Sequence, residues 1–133
     1  MDSGLFLARA LLGAFLAVLF LQSGLDKVLD WSGNKAYVKG YLDKTPFRRF
    51  SGFLFFQITV MEVLAGITSA AGVAATVLLG STELSLVGAF LSAASVLSLF
   101  LGQRLAKDYQ SAAAIVPYFL TSVVAVIVFG WHR

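Results

Sequence analysis

The sequence predicts an all-α fold: a bundle of four transmembrane helices, with a short amphipathic interfacial helix in the first loop. Three observations predict it. Of 133 residues, 59% are hydrophobic and only 13% charged, about half the charged fraction of an average soluble domain. The charges gather in a few short segments. Between them lie four apolar runs, each near the ~20 residues needed to cross a bilayer. Hydrocarbon offers no partner to an exposed N–H or C=O, so spanning segments at this length are helices. The whole chain, 1–133, reads as one such domain.

The first span is expected at about 4–25. Arg9 precedes an apolar stretch, Ala10 to Leu21, of signal-peptide length, but the following LQSG lacks a small-x-small cleavage pattern, so the segment reads as a retained span. In the loop after Trp31, Tyr37, Val38, Tyr41 and Leu42 recur at helical spacing among lysines. Ser32 is a candidate cap and Pro46 a stop, and the pattern suits a short helix on a membrane surface. The second span, about 51–79, begins near Ser51 and ends between Ala71 and Gly80. Gly80-Ser81-Thr82 breaks the chain; Ser81 or Thr82 can cap the third span, about 84–102, with Glu83 favourable in its first turn. The fourth span is expected at about 111–131.

Eight of the ten basic residues fall in two loops: Lys27, Lys35, Lys39, Lys44, Arg48 and Arg49 in the first, Arg104 and Lys107 in the other. The positive-inside rule places both loops in the cytoplasm and both termini outside. The expected location is a prokaryotic inner membrane or an equivalent energy-transducing membrane, with the lipid bilayer as first partner. The net charge of +3 fits orientation and anionic lipid better than nucleic acid. No cysteine and one histidine, His132, exclude thiolate clusters, a bis-His haem and a zinc triad within this chain. No metal site and no cofactor bound by this chain alone are expected.

Small and polar residues form stripes, the faces that membrane helices turn towards each other. They are Arg9, Gly13, Leu16, Phe20 and Lys27 in the first span; Thr59, Glu62, Gly66 and Ser69 in the second; Ser85, Gly88, Ser92 and Ser95 in the third; Tyr118, Thr121, Ser122 and Ala125 in the fourth. Tight packing alone explains most of them. Glu62 is the exception, because a carboxylate at a span's centre costs about 2.5–3.5 kcal/mol on insertion scales. It either stays neutral and donates a hydrogen bond, or is ionised against a cation. Arg9 is the favoured counter-charge, although antiparallel helices make the two side chains lean apart; Lys27 leans the right way but starts far along its helix. Arg9, Glu62, Thr59 and Lys27 therefore form one candidate site for structure or for a polar ligand. A second cluster, GQRLAKDYQ, brings Gln103, Arg104, Lys107, Asp108 and Tyr109 together between spans three and four. Arg104 and Asp108 are spaced to pair on a helix end, and Asp108 can cap the fourth helix.

These residues resemble the DoxX family of membrane proteins: an arginine early in the first span (Arg9), then SGLDKVLDW at 23–31, then Glu62 followed by Gly66, and GQRLAKDY at 102–109. The resemblance covers nearly the whole chain and implies a four-helix membrane bundle. Its polar signature matches Arg9, Lys27, Glu62, Gln103 and Arg104. It further implies association with membrane oxidoreductase complexes or thiol systems, and without cysteine any thiol chemistry would need a partner. The leading expectation is an accessory or anchoring subunit of a larger membrane complex linked to electron transfer, without independent catalytic activity. The alternatives are a quinone-binding subunit of a membrane oxidoreductase and a small oligomeric transporter or channel.

Overall fold

The computed structural model describes residues 3–131, and His132 and Arg133 lie outside the described residues. The described chain is all-helical. Helix α1 spans Ser3–Leu29, α2 Trp31–Leu42, α3 Ser51–Leu79, α4 Glu83–Leu105, α5 Tyr109–Ala114 and α6 Val116–Gly130, with a single 3₁₀ turn, Arg48–Phe50, leading into α3. Four helical stretches are long and apolar enough to cross a membrane: Ser3–Leu29, Arg48–Leu79, Glu83–Leu105 and Tyr109–Gly130. Their outward faces carry large apolar side chains, among them Leu11, Val18, Phe53, Leu78 and Phe90. A water-facing surface rarely carries so much contiguous apolar area.

All four stretches begin before the expected limits, the second by three residues; the first and third also end later, at Leu29 and Leu105, and the fourth ends one residue early, at Gly130. The fourth differs in kind. Pro117 lacks an N–H, and its ring opposes the carbonyl four residues earlier. The fourth stretch therefore breaks at Ile115 into α5 and α6, with Tyr118 N–H bonding the Ile115 carbonyl. The corner between α1 and α2 is a single residue, Asp30. Asn34 secures it by donating from Nδ2 to the carbonyls of Asp26 (3.2 Å) and Asp30 (2.9 Å), whereas Ser32 lies inside the first turn of α2 and caps nothing. Thr82 occupies the N-cap position of α4 without a side-chain cap bond.

The long helices contact one another in a closed order: α1 with α3, α3 with α4, α4 with α6, and α6 with α1. Leu16, Phe20, Ala65, Ala89, Val96, Ala125 and Phe129 form the apolar centre. Around it run the small-residue stripes. A Cβ on Gly66 would stand 2.7 Å from the Leu21 backbone nitrogen, one on Gly24 would meet Val63 at 2.9 Å, and one on Gly72 would meet the Ser85 nitrogen at 2.6 Å. Glycine there allows backbone to touch backbone, which maximises dispersion where no hydrophobic effect drives helices together. Most hydroxyls in the stripes cost little, because they bond within their own helices; Ser85 instead meets Thr76 of α3 (3.2 Å), and Ser69 Oγ is buried without a partner. Thr59 donates to Phe55 O (2.8 Å), Ser92 to Gly88 O (2.7 Å) and Ser122 to Tyr118 O (2.8 Å).

On the fourth stretch the inward face is Ser122, Ala125 and Phe129. Tyr118, which shares their sequence stripe, is exposed at the start of α6, and Thr121 is only half-buried.

Replacing Gly66 by Ala should push α1 and α3 apart at a cost of about 1–3 kcal/mol. Gly40, whose Cβ would meet nothing within 4 Å, lies in the last turn of α2 and should accept Ala with no loss and a gain of up to about 0.5 kcal/mol. Thermal unfolding of the two variants in one detergent checks the contrast.

Candidate functional site

The glycine contacts set the register of α1 against α3. Gly24 faces Val63 and Gly66 faces Leu21, so Glu62 lies level with about residue 25 of α1, and Arg9 level with about residue 78 of α3. Arg9 and the level of Glu62 are thus about 16 residues apart along α1, roughly 24 Å at 1.5 Å per residue. The expected Arg9–Glu62 pair does not form. Arg9, buried to 4% exposure, instead holds the far end of the molecule. It donates from Nε to Val128 O (3.0 Å) and from Nη2 to Trp131 O (2.6 Å). A cation at those carbonyls also complements the negative end of the α6 dipole.

The counter-charge of Glu62 is Lys27. Its Nζ lies 3.1 Å from Glu62 Oε2 and 3.3 Å from Ser23 Oγ, and Ser23 Oγ donates to the same carboxylate oxygen. The reach that looked excessive follows from two facts. α1 continues to Leu29, and Lys27 leans back by about one position towards the level of Glu62. Glu62 is also not central. α3 has 29 residues, about 44 Å, well over a hydrocarbon core of ~30 Å. Within that length Glu62 stands level with the polar end of α1, where Asp26 is the first charged residue after Arg9. Among the described residues this is the one ion pair within 4.0 Å, and it is asymmetric: the Glu62 side chain is 1% exposed, that of Lys27 17%. Glu62 Oε1 is buried and has no hydrogen-bond partner. Thr59 lies one turn away, but its hydroxyl is committed to the Phe55 carbonyl.

Lys27 faces a cavity of about 350 Å³. Tyr37, Val38, Tyr41 and Leu42 of α2 form one wall, Phe55, Gln57 and Ile58 of α3 and Leu99 and Gly102 of α4 the others, and Gln103, Asp108 and Ser111 the end. The two candidate clusters of the sequence meet here only through Lys27 of the first and Gln103 and Asp108 of the second; Glu62 sits behind Lys27, and Arg9, Thr59, Arg104, Lys107 and Tyr109 do not line the cavity. The aromatic wall and Gln57 carry no signal in the sequence that marks them as part of a site. Tyr37 and Tyr41 share the helical stripe of the first loop, but nothing local shows which loop they approach.

The second cluster is built on the end of α4. Asp108 N–H bonds Gln103 O (2.9 Å) and Lys107 N–H bonds Arg104 O (3.1 Å), the two bonds of a Schellman turn. Lys107 takes the left-handed position at φ 61°, where glycine is usual. That reversal presents Asp108 to α2. One carboxylate oxygen accepts from Ser111 N (3.2 Å), capping α5 as expected, and the other accepts from Tyr41 OH (2.9 Å). Arg104 does not pair with Asp108; its guanidinium lies 4.5 Å over the Tyr109 ring, an orientation that cation–π attraction favours. Gln103 Oε1 is buried and unpartnered, and the amide lines the cavity.

Burial first, then the bond to Asp108 and its charge, push the Tyr41 phenol up to about 12. Hydrogen bonds from Ser111 and then Tyr41 hold Asp108 below its ordinary 3.8. The contribution of Tyr41 to stability is present below pH 10 and is lost as pH rises towards 12. That of Asp108 is present above its ordinary value and is lost as pH falls through the lowered one. No protein-family model, curated protein or solved structure matches the chain, so the function rests on this geometry.

Lys27→Met leaves a buried carboxylate without its cation and should cost on the order of 3 kcal/mol. Glu62→Gln keeps an acceptor for Ser23 and should cost about 1 kcal/mol; denaturant unfolding in mixed micelles ranks the two. In Asp108→Asn, the Tyr41 tyrosinate absorbance, taken as the difference from Tyr41→Phe, should appear at lower pH than in the wild type. It should still appear above 10, because burial remains.

Proposed function

We propose that the chain is a four-helix integral membrane bundle whose basic-side cavity holds the headgroup of a lipid-soluble quinone. It does so as an accessory subunit of a membrane oxidoreductase. In this reading α2 lies along the membrane surface, the basic loops face the cytoplasm and the redox centres belong to other subunits, since a chain without cysteine supplies no cluster of its own. The observation that carries the reading is the cavity itself. Its ~350 Å³ lies at the lower end of small-molecule sites, which are apolar with a few converging polar groups. That suits one ring with its tail left in lipid. Lys27 supplies a cationic donor to a carbonyl at one side, and the buried, unpartnered amide oxygen of Gln103 offers an acceptor to a hydroxyl of the reduced, quinol form. The aromatic and aliphatic walls suit a planar ring face. Three residues of the DoxX-like signature, Lys27, Gln103 and Glu62, fall at or directly behind this cavity, which agrees with the redox association that resemblance implies.

The test uses Trp31, which packs on the cavity residue Phe55 with ring centroids 4.6 Å apart, in a Trp131→Phe background. A decyl-tailed quinone should quench it saturably. Gly102→Leu projects into the cavity, where a Cβ meets nothing within 4 Å. It should weaken binding about tenfold or more while helix propensity keeps or raises thermal stability. Quenching that rises without saturation, equally in both proteins, would overturn the reading.

A further inference from the structure

We infer that α2 is a hinged lid over this cavity, latched at its free end by the Tyr41–Asp108 hydrogen bond. The inference rests on the cavity being a binding site, but the lid itself is a property of the unliganded chain.

The two ends of α2 are held very differently. At the base, one residue separates α2 from α1, Asn34 bonds back to two carbonyls of that corner, and Trp31 packs edge-on against Phe55 and Phe56. Towards the tip, Leu42 is buried, and the chain turns through Thr45, whose hydroxyl bonds locally to Leu42 O. Among the described residues, Tyr41 OH to Asp108 is the one side-chain hydrogen bond that ties residues 35–47 to the rest of the molecule. Four residues of α2 form a cavity wall. The other walls belong to α3 and α4, which touch backbone to backbone at Gly72 and Gly88. Local opening follows the weakest set of contacts, and here that set is the tip of α2.

Both partners of the latch are held in place. Asp108 is fixed by Ser111 and by the left-handed turn at Lys107, so its carboxylate waits in place, and Tyr37 stacks on Tyr41 at 6.0 Å.

Hydrogen exchange of the full chain in lipid nanodiscs tests the lid without any ligand. Tyr41→Phe removes the latch and leaves the Asp108 cap of α5. Exchange across 36–42 should rise about tenfold or more, while α3 and α4 keep wild-type protection. Unchanged exchange in α2, or a rise spread equally over all helices, would overturn the lid. Binding of the decyl-tailed quinone supplies the second readout. Tyr41→Phe should raise association and dissociation rates together, and a bismaleimide bridge between Tyr41→Cys and Asp108→Cys, clean in a chain without cysteine, should slow both. A faster dissociation alone, with association unchanged, would make Tyr41 a ligand contact and sink the lid. If the wild type binds no quinone, the occupancy reading fails, and the exchange result decides the lid by itself.

Discussion

Helix α3 meets α1 at Gly66 and Gly24 and meets α4 at Gly72 and Gly88, each time at distances that leave no room for a Cβ. The rest of the structure depends on this close approach. Apolar side chains gain nothing by leaving lipid for one another, so the association has to come from dispersion and from bonds across the seam. Backbone contact at small residues supplies the first. It also fixes register, because sliding a helix by one residue would drive a side chain into a neighbouring backbone.

Register in turn decides the electrostatics. It sets Lys27, rather than Arg9, against Glu62, and sends Arg9 to the carbonyls that end α6. Each buried charge is thereby met at its own end of the molecule. Arg9 satisfies helix-terminal carbonyls, which no side chain of α1 could do at mid-depth. Lys27 reaches a carboxylate while its own end stays partly exposed. The pair is therefore less costly than a fully dry ion pair, where desolvation rivals attraction.

The polar end is where structure leaves space. The Schellman turn at Lys107 reverses the chain after α4, and α2 folds back across this end of the bundle. A cavity walled by aromatics, with Lys27 on one side and Gln103 and Asp108 at another, is the outcome. The strain of a left-handed lysine sits at this place, which is where conformational strain tends to collect in functional sites.

The sequence by itself determined the all-helical class, the four apolar stretches, the helix on the first loop, the Asp108 cap and the inward stripes of α1, α3 and α4. These follow from local periodicity, from turn chemistry and from the refusal of hydrocarbon to solvate backbone. Glu62 was legible as a residue in need of a partner. Its partner was not, because a helix face says which way a side chain points and nothing about the level of the helix opposite. Only the tertiary structure decided that level, through glycine contacts whose Cβ-sized gaps cannot be read from either helix alone. The meeting of Tyr41 with Asp108 belongs to the same class. The two lie 67 positions apart, and only the turn at Lys107 and the corner at Asp30 bring them within a hydrogen bond.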